Sequence, residues 1–350
     1  MSAPAAAPSK YEIFQIISAD GKNTVDLYDA QFRVVSFDIF ENILSPYITG
    51  RVVIASSGNV SKEEKTNRMT SLRSGLPVTS GCKLKVKITP QLGKTIDYSR
   101  TENDYTVLHV DKVATAKDST SEILELSFTS NIAIMSDTKR VVERFDARIS
   151  DSVTSIIKNY LEVGSDSVNV TATQNSSSFS GNQKRPLDLI IDMASKSVPN
   201  GKASNPGYLC YETIGKFNFV SFDTLINREP EFTYNYNGVL IATEELKNES
   251  NNFKAAEMVI KKDNNLLENI RSGVYASKSI FFNPLTQEFT EIDISVVDGK
   301  LSQDPNFSTL GEKAKTPRIL EEGFKNSKKI HRINTAVIDT GADKSTVTLK

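Results

Sequence analysis

Near the end of the chain stands Asp339-Thr340-Gly341, within AVIDTGADKST. Asp-Thr-Gly is the triplet that presents one of the two proton-sharing carboxylates of an aspartic protease. That chemistry needs the triplet inside a compact β domain with apolar strands and a flap around it. Here it follows a charged stretch, so it reads as an ordinary turn. His109 sits in the strand-like run 105–110, where an imidazole either packs or faces water; the competing reading is a general base. His331 lies among Lys328, Lys329 and Arg332. That basic patch either meets an acidic partner or is solvated. Two histidines in all cannot build a His-rich metal site. Asp146 and Asp151 fall on an expected helix, as solvated acids. Cys82 and Cys210 both lie in apolar strand patterns and read as buried reduced thiols, with a disulfide or a reactive thiol as the alternatives.

The chain has no GxSxG, HExxH or CxxC, no phosphate-binding loop, and no GxGxxG opening a helix. The expectation is a non-enzyme with no catalytic, cofactor-binding or metal-ligating residues and no cofactor. At 350 residues it is long for a single average domain. A hydrophobic content of 38% against 24% charged is enough for packed cores. The formal net charge of -1 is unlike the basic field of a nucleic-acid binder. The leader MSAPAAAPSK has no apolar run of signal-peptide length and reads as flexible. No window approaches a membrane span, so the expectation is folding in a reducing cytoplasm without membrane insertion. Asn-x-Ser/Thr sites at Asn59, Asn169, Asn175, Asn248 and Asn306 then mark surface loops rather than glycosylation.

What positions these residues is mostly β. From residue 11 to 128 the runs YEIFQII, TVDLYDAQFRVVSFDIFENI, ITGRVVIAS, CKLKVKITP, DYTVLHVDKVA and EILELSFTS are rich in Val, Ile, Tyr, Phe and Thr. Lys83, Lys85 and Lys87 alternate with Leu84, Val86 and Ile88, which predicts a sheet with one wet and one buried face. Asp20-Gly21-Lys22-Asn23 predicts a hairpin turn. Residues 24–43 are too long for one strand and predict two, with a bend near Ala30-Gln31. Residues 57–74 predict a long loop or one short amphipathic helix, and 92–104 a polar hairpin excursion. Lys117 to Ser121 closes the last hairpin.

Apolar spacings of three and four from Val141 to Leu161 predict an amphipathic helix, with a break near Ser150-Asp151 and either residue as a second cap. A short strand over 168–173 and a Ser/Asn-rich loop follow. Pro186 opens another helix at a favoured first position. YLCYET and KFNFVSF then form a hairpin across Ile214-Gly215, giving a small α+β domain. Strands are expected again at 232–236, 253–261, 273–283 and 288–297, with a helical turn at 265–270. Later strands are expected at 335–338 and 345–349. The last runs to the end of the chain, so it either pairs with another chain or the natural protein continues. The fold class is α+β, mostly β.

Three stretches resemble the baseplate central hub proteins of contractile-tailed, T-even-like bacteriophages. They are ISADGKNTVDLYDAQFRVVSFDIFENILSPYITGRVVI, RPLDLIIDMASKSVPNGKASNPGYLCYETIGKFNFVSFDTLINREP and NNLLENIRSGVYASKSIFFNPLTQEFTEID. The resemblance spans roughly residues 11–297 and rests on order and phrasing. It implies tube-forming β-barrel domains with a small inserted or appended α+β domain. The implied divisions are a leader (1–10), a first barrel (11–137), the α+β domain (138–227) and a second tube-type β region with an insertion (228–350). After Thr316 the family's closing strands are not all in place.

The resemblance also implies a structural virion protein. It would be a homotrimer joining the hexameric tail tube, or tube-initiator proteins, to the trimeric tail spike. Its channel would pass the tape-measure protein and DNA without specific binding. It would reside in the tail baseplate and be assembled in the host cytoplasm. The competing readings are the hub of a bacterial contractile secretion spike and, in a different class, a β-rich carbohydrate-binding adhesin module.

Overall fold

The structure is a computed structural model. It describes residues 10–28, 32–57, 61–62, 69–70, 72, 78–89, 95–99, 105–115, 121–200, 207–226, 228–229, 259, 265–272, 276–284, 287–297, 300–301 and 332–337. The first strands are β1 (Lys10–Ile17), β2 (Thr24–Asp26), β3 (Phe32–Phe40), β4 (Thr49–Ser56), β5 (Ser61–Lys62) and β6 (Met69–Thr70). They continue as β7 (Lys83–Thr89), β8 (Ile96–Tyr98), β9 (Tyr105–Thr115) and β10 (Glu122–Ser130). The main sheet runs β2-β1-β7-β9-β10-β4-β3, with β8 added to β7, and its pairs are antiparallel.

The period-two pattern explains its shape. Leu84, Val86 and Ile88 are buried while the three lysines between them are half-exposed, as the alternation predicts. Such a sheet has one apolar face to cover, and it covers it by curling. Strands β1 and β3 lie far apart along the sheet order, yet the Phe14 and Phe37 rings meet edge-on at 5.2 Å. Phe37 stacks on Phe128 at 5.4 Å, Phe128 meets Tyr105 at 4.7 Å, and Tyr105 stacks on Tyr98 at 4.2 Å. This aromatic column crosses the interior from β1 to β8. Ile16, Val52, Ile54, Leu84, Leu124 and Leu126 pack around it with no exposure.

The Asp20–Asn23 turn joins β1 and β2, with Gly21 at φ +72°. Ser18 Oγ accepts from the Asn23 amide at 3.0 Å and ties the turn back to the strand. Residues 24–43 form two strands, as expected. Between Val34 and Ser36 the register of β3 on β4 shifts, leaving Val35 exposed. The hairpin excursion expected at 92–104 contains β8, which pairs antiparallel with β7 and buries Tyr98. Within 57–74, Ser61–Lys62 and Met69–Thr70 pair as a small ladder, and Leu72 is fully buried in the sheet core. That stretch is therefore not one helix.

A second core follows. Its elements are α1 (Asn131–Thr138), β11 (Arg144–Arg148), α2 (Ile149–Asn159), β12 (Val168–Val170), β13 (Ser176–Ser180) and α3 (Pro186–Ala194). They are followed by β14 (Tyr208–Thr213), β15 (Lys216–Ser221) and α4 (Phe222–Ile226). β14 and β15 form the expected hairpin, and β12 adds in parallel to β15. Pro186 is at the start of α3 as predicted. Ile149, Val153, Ile156 and Ile157 from α2 bury against Leu187 and Ile190 from α3 and Phe217 and Phe219 from β15.

Of the helix expected over 141–161 with a break near Ser150-Asp151, only the part beyond the break forms as a helix. Arg144, Asp146, Ala147 and Arg148 are exposed around buried Phe145, and this segment is β11. It pairs with β13, so the Ser/Asn-rich stretch expected as loop is a strand, with Phe145 stacked on Phe179 at 5.1 Å. The helix α2 starts at Ile149. Neither Ser150 nor Asp151 caps it; the Ser150 amide donates instead to Thr173 Oγ1 at 3.0 Å. Helix α1, directly after β10, was not foreseen.

The chain then returns to strands. Helix α5 (Leu266–Ser272) precedes β16 (Ala276–Asn283), β17 (Glu288–Val297), β18 (Lys300–Leu301) and β19 (Arg332–Val337), in the sheet order β18-β17-β16-β19. The strands expected near 273–283, 288–297 and 335–338 are present, and the turn at 265–270 is a helix. The expected strands at 232–236 and 345–349 lie outside the described residues, as does nearly all of 253–261.

Gly50 in β4 marks how tightly the sheet closes. A Cβ there would overlap the Phe128 ring and come within 2.5 Å of the Asp38 carbonyl oxygen. Gly50→Ala is expected to lose about 2–3 kcal/mol of stability by overpacking, read as a lower midpoint in urea unfolding.

Candidate functional site

The residues that the sequence offered for chemistry are scattered. His109 lies on the wet face of β9, with Nε2 2.6 Å from Asp111 Oδ1. Asp111 also accepts from Ser127 Oγ at 2.5 Å, so this is a surface network on the sheet. Asp146 is exposed and paired with Arg144 at 2.9 Å, which holds its carboxyl below the ordinary value. Asp151 is exposed in the first turn of α2. His331, Asp339, Thr340 and Gly341 lie outside the described residues. Cys82 and Cys210 are buried cysteines in the two different cores. Burial pushes the Cys210 thiol up to about 12. Among the described residues, no group of three or more His, Cys, Asp or Glu side chains could hold a metal ion. No helix among them is long and apolar enough to cross a membrane.

The structure gathers polar groups at a place not foreseen from the sequence, the seam between the two cores. Its centre is Glu212 on β14, 5% exposed. The Ile48 amide, just before β4, donates to Glu212 Oε2 at 2.9 Å. The hydroxyl of Ser130, at the end of β10, donates to the same oxygen. These two donors are themselves fixed. The Ser130 amide and Thr129 Oγ1 both donate to the Ile48 carbonyl at 3.0 Å. Nearby, the Ile214 amide at the β14–β15 turn donates to Glu41 Oε1 at 2.5 Å. One carboxylate from each side thus crosses the seam.

Packing follows the same line. Tyr47, before β4, packs against the second core, and Ile214 packs against the first. A cleft of about 180 Å³ runs along the seam, lined in part by Tyr98, Asn131, Glu162, Glu212, Lys216 and Phe217. Tyr98 is the end of the aromatic column. The neighbouring Tyr105 hydroxyl is buried beside it.

Burial raises Glu212 to about 7, against the opposing pull of the Ser130 and Ile48 donors, and Glu41 adds to the rise. A carboxyl that titrates near neutrality beside a cleft has the acidity of a general acid or base. Its geometry is that of a joint, because Oε2 is committed to two donors from the sheet. Sequence reasoning passed over Glu212, although a signal was present. Tyr208, Cys210 and Glu212 alternate onto one face of β14, and an acid on a face shared with Tyr and Cys is an acid in the core.

The wet face of the sheet carries charge in balanced rows. Arg51 on β4 bridges Glu125 on β10 at 3.0 Å and Asp38 on β3 at 3.3 Å, and Lys87 pairs with Glu12 at 2.7 Å. Exposed apolar side chains gather along the sheet-edge strand β3 and the loop after it, namely Val35, Phe40, Ile43 and Leu44. Asn42 holds that loop, its side chain accepting from the Leu44 amide and its carbonyl from the Ser45 amide, both at 2.9 Å.

No protein-family model matches the chain, and no curated protein matches it. Among solved structures, it is similar to a tail protein from Neisseria meningitidis, at 10% identity over 95% of this chain and 73% of that one, TM-score 0.46. It is also similar to a prophage tail protein from Shewanella oneidensis, at 10% identity over 81% and 69%, TM-score 0.40. A third is the PdpA–VgrG complex from Francisella, at 10% identity over 89% and 44%, TM-score 0.40.

Two outcomes test the seam and the thiols. Glu212→Ala strands the Ile48 amide and the Ser130 hydroxyl, and is expected to cost about 3 kcal/mol in chemical unfolding, whereas Glu212→Gln keeps an acceptor and costs about 1 kcal/mol. Cys82 and Cys210 are expected to resist a thiol-specific disulfide reagent in the folded protein and to react fully in denaturant.

Proposed function

We propose that this chain is a structural component of a phage-type tail and, within it, the baseplate hub that joins the hexameric tube to the trimeric spike. The observation that carries this reading is the succession of elements. A curled sheet closes over one apolar core, an α+β unit is pinned across its seam by Glu212, and the chain then returns to a β ladder at β16 and β17. That order is the one that the sequence resemblance to hub proteins implies.

The physics of such a part is geometric. A ring built from curled sheets must present edges and outer faces to neighbours and keep its interior packed. The edge strand β3 with Val35 and Phe40, and the loop bearing Ile43 and Leu44, offer apolar surface of that kind. A channel for DNA must not hold phosphates. Arg51 and Lys87 on the sheet are each engaged by carboxylates, which supports passage of a polyanion without specific binding. In this reading the working state is a homotrimer, with tube or tube-initiator proteins above, the spike below and the tape-measure protein inside. The protein is not an enzyme, and it resides in the virion tail after assembly in the host cytoplasm. Its two buried cysteines, one in each core, suit assembly in a reducing compartment.

The native mass of the purified chain, alone and with the spike protein of the same tail, tests this. A trimer, or a three-to-three complex with spike, is expected. A chain that stays monomeric with spike present contradicts the hub reading.

A further inference from the structure

The Glu212 seam has the parts of a switch as well as of a joint. Its carboxyl is buried, and it is the group through which β14 receives hydrogen bonds from both Ile48 and Ser130. A cleft lies beside it along the seam. Among the described residues, the groups that face it from the surrounding elements do not supply a cation in contact with it. From the loop before β4 comes a second carboxylate, Glu41; from β8 and β9 come Tyr98 and Tyr105, both with hydroxyls pushed up by burial. From α1 comes Asn131, whose Oδ1 accepts from Lys83, a lysine that also donates to Thr106. Across the cleft Glu162 is paired with Lys139, and Lys216 on the same hairpin is exposed.

We propose that Glu212 is a proton-controlled latch between the curled sheet and the α+β unit. With its proton in place the carboxyl is neutral and the seam is dry and closed. When the proton leaves for water, the carboxylate faces Glu41 in a low-dielectric gap, and hydration is gained only if the β14–β15 hairpin lifts from the end of the sheet and the cleft fills. The sign follows from the two states. In the open seam Glu212 titrates near the ordinary 4.5, and in the closed seam near 7. Opening therefore becomes easier as pH rises from the first value to the second and levels off above it. The latch is argued from the seam alone and does not depend on the hub reading.

Amide hydrogen exchange of the full chain, corrected for the pH dependence of intrinsic exchange, tests it. The reporters are the Ile48 and Ile214 amides, which cross the seam, with Leu126 in mid-sheet as control. Protection at the two reporters is expected to fall at least tenfold between about pH 5 and about pH 7 and then level, while Leu126 stays constant. In Glu212→Gln the reporters are expected to lose this pH dependence. If that variant does not fold, Ser130→Ala serves. Removing a donor to the ionised carboxylate is expected to move the fall in protection to higher pH. Flat protection at Ile48 in the native sequence overturns the latch. So does an equal fall in Glu212→Gln, or no shift in Ser130→Ala.

Discussion

The apolar face of one antiparallel sheet has to be hidden, and the sheet hides it against itself. The curl brings β1 and β3 within ring contact, and the aromatic column from Phe14 through Phe37, Phe128 and Tyr105 to Tyr98 fills the space between. Closure is tight enough that Gly50 must lack a side chain beneath Phe128. The column also sets where the second core can dock. Its last ring, Tyr98, lies in the cleft wall beside Glu212, so the end of the sheet's own packing is the start of the seam.

At that seam the chain places a carboxylate where an apolar side chain would be the default. The cost of burying it is partly offset by two donors, Ile48 and Ser130, that are tied to each other by backbone hydrogen bonding. A carboxylate so held gives direction to the docking, because β14 must bring Oε2 within reach of Ile48 and Ser130 together. Removing one partner from such a set costs more than the set contributes as a whole. That makes Glu212 a position of geometric control between the two cores.

Much of the sheet was legible because alternation is a strong local signal. Lys83 to Ile88 declared their two faces, and YLCYET with KFNFVSF declared a hairpin around Ile214-Gly215. Spacing failed where it was ambiguous. Val141, Phe145 and Ile149 are four apart and fit a helix face, yet Phe145 stands among exposed Arg144, Asp146, Ala147 and Arg148 in a strand. Ser176–Ser180 was opaque for the opposite reason, since four serines around one Phe carry little propensity. Ile96–Tyr98 is too short for any periodicity, and only its pairing with β7 reveals it. The seam was the least legible part. Glu212 meets Ser130 across 82 positions and Ile48 across 164, and no local pattern encodes a contact of that separation.

The proposed role is architectural, so its most direct test counts copies in place. Intact contractile tails can be purified from the phage that encodes this chain and the ratio of this chain to the tube and spike proteins measured by quantitative mass spectrometry. The account predicts three copies per tail, equal to the spike. Absence of the chain from intact tails, or a copy number that tracks the many-fold repeated tube protein, would contradict it.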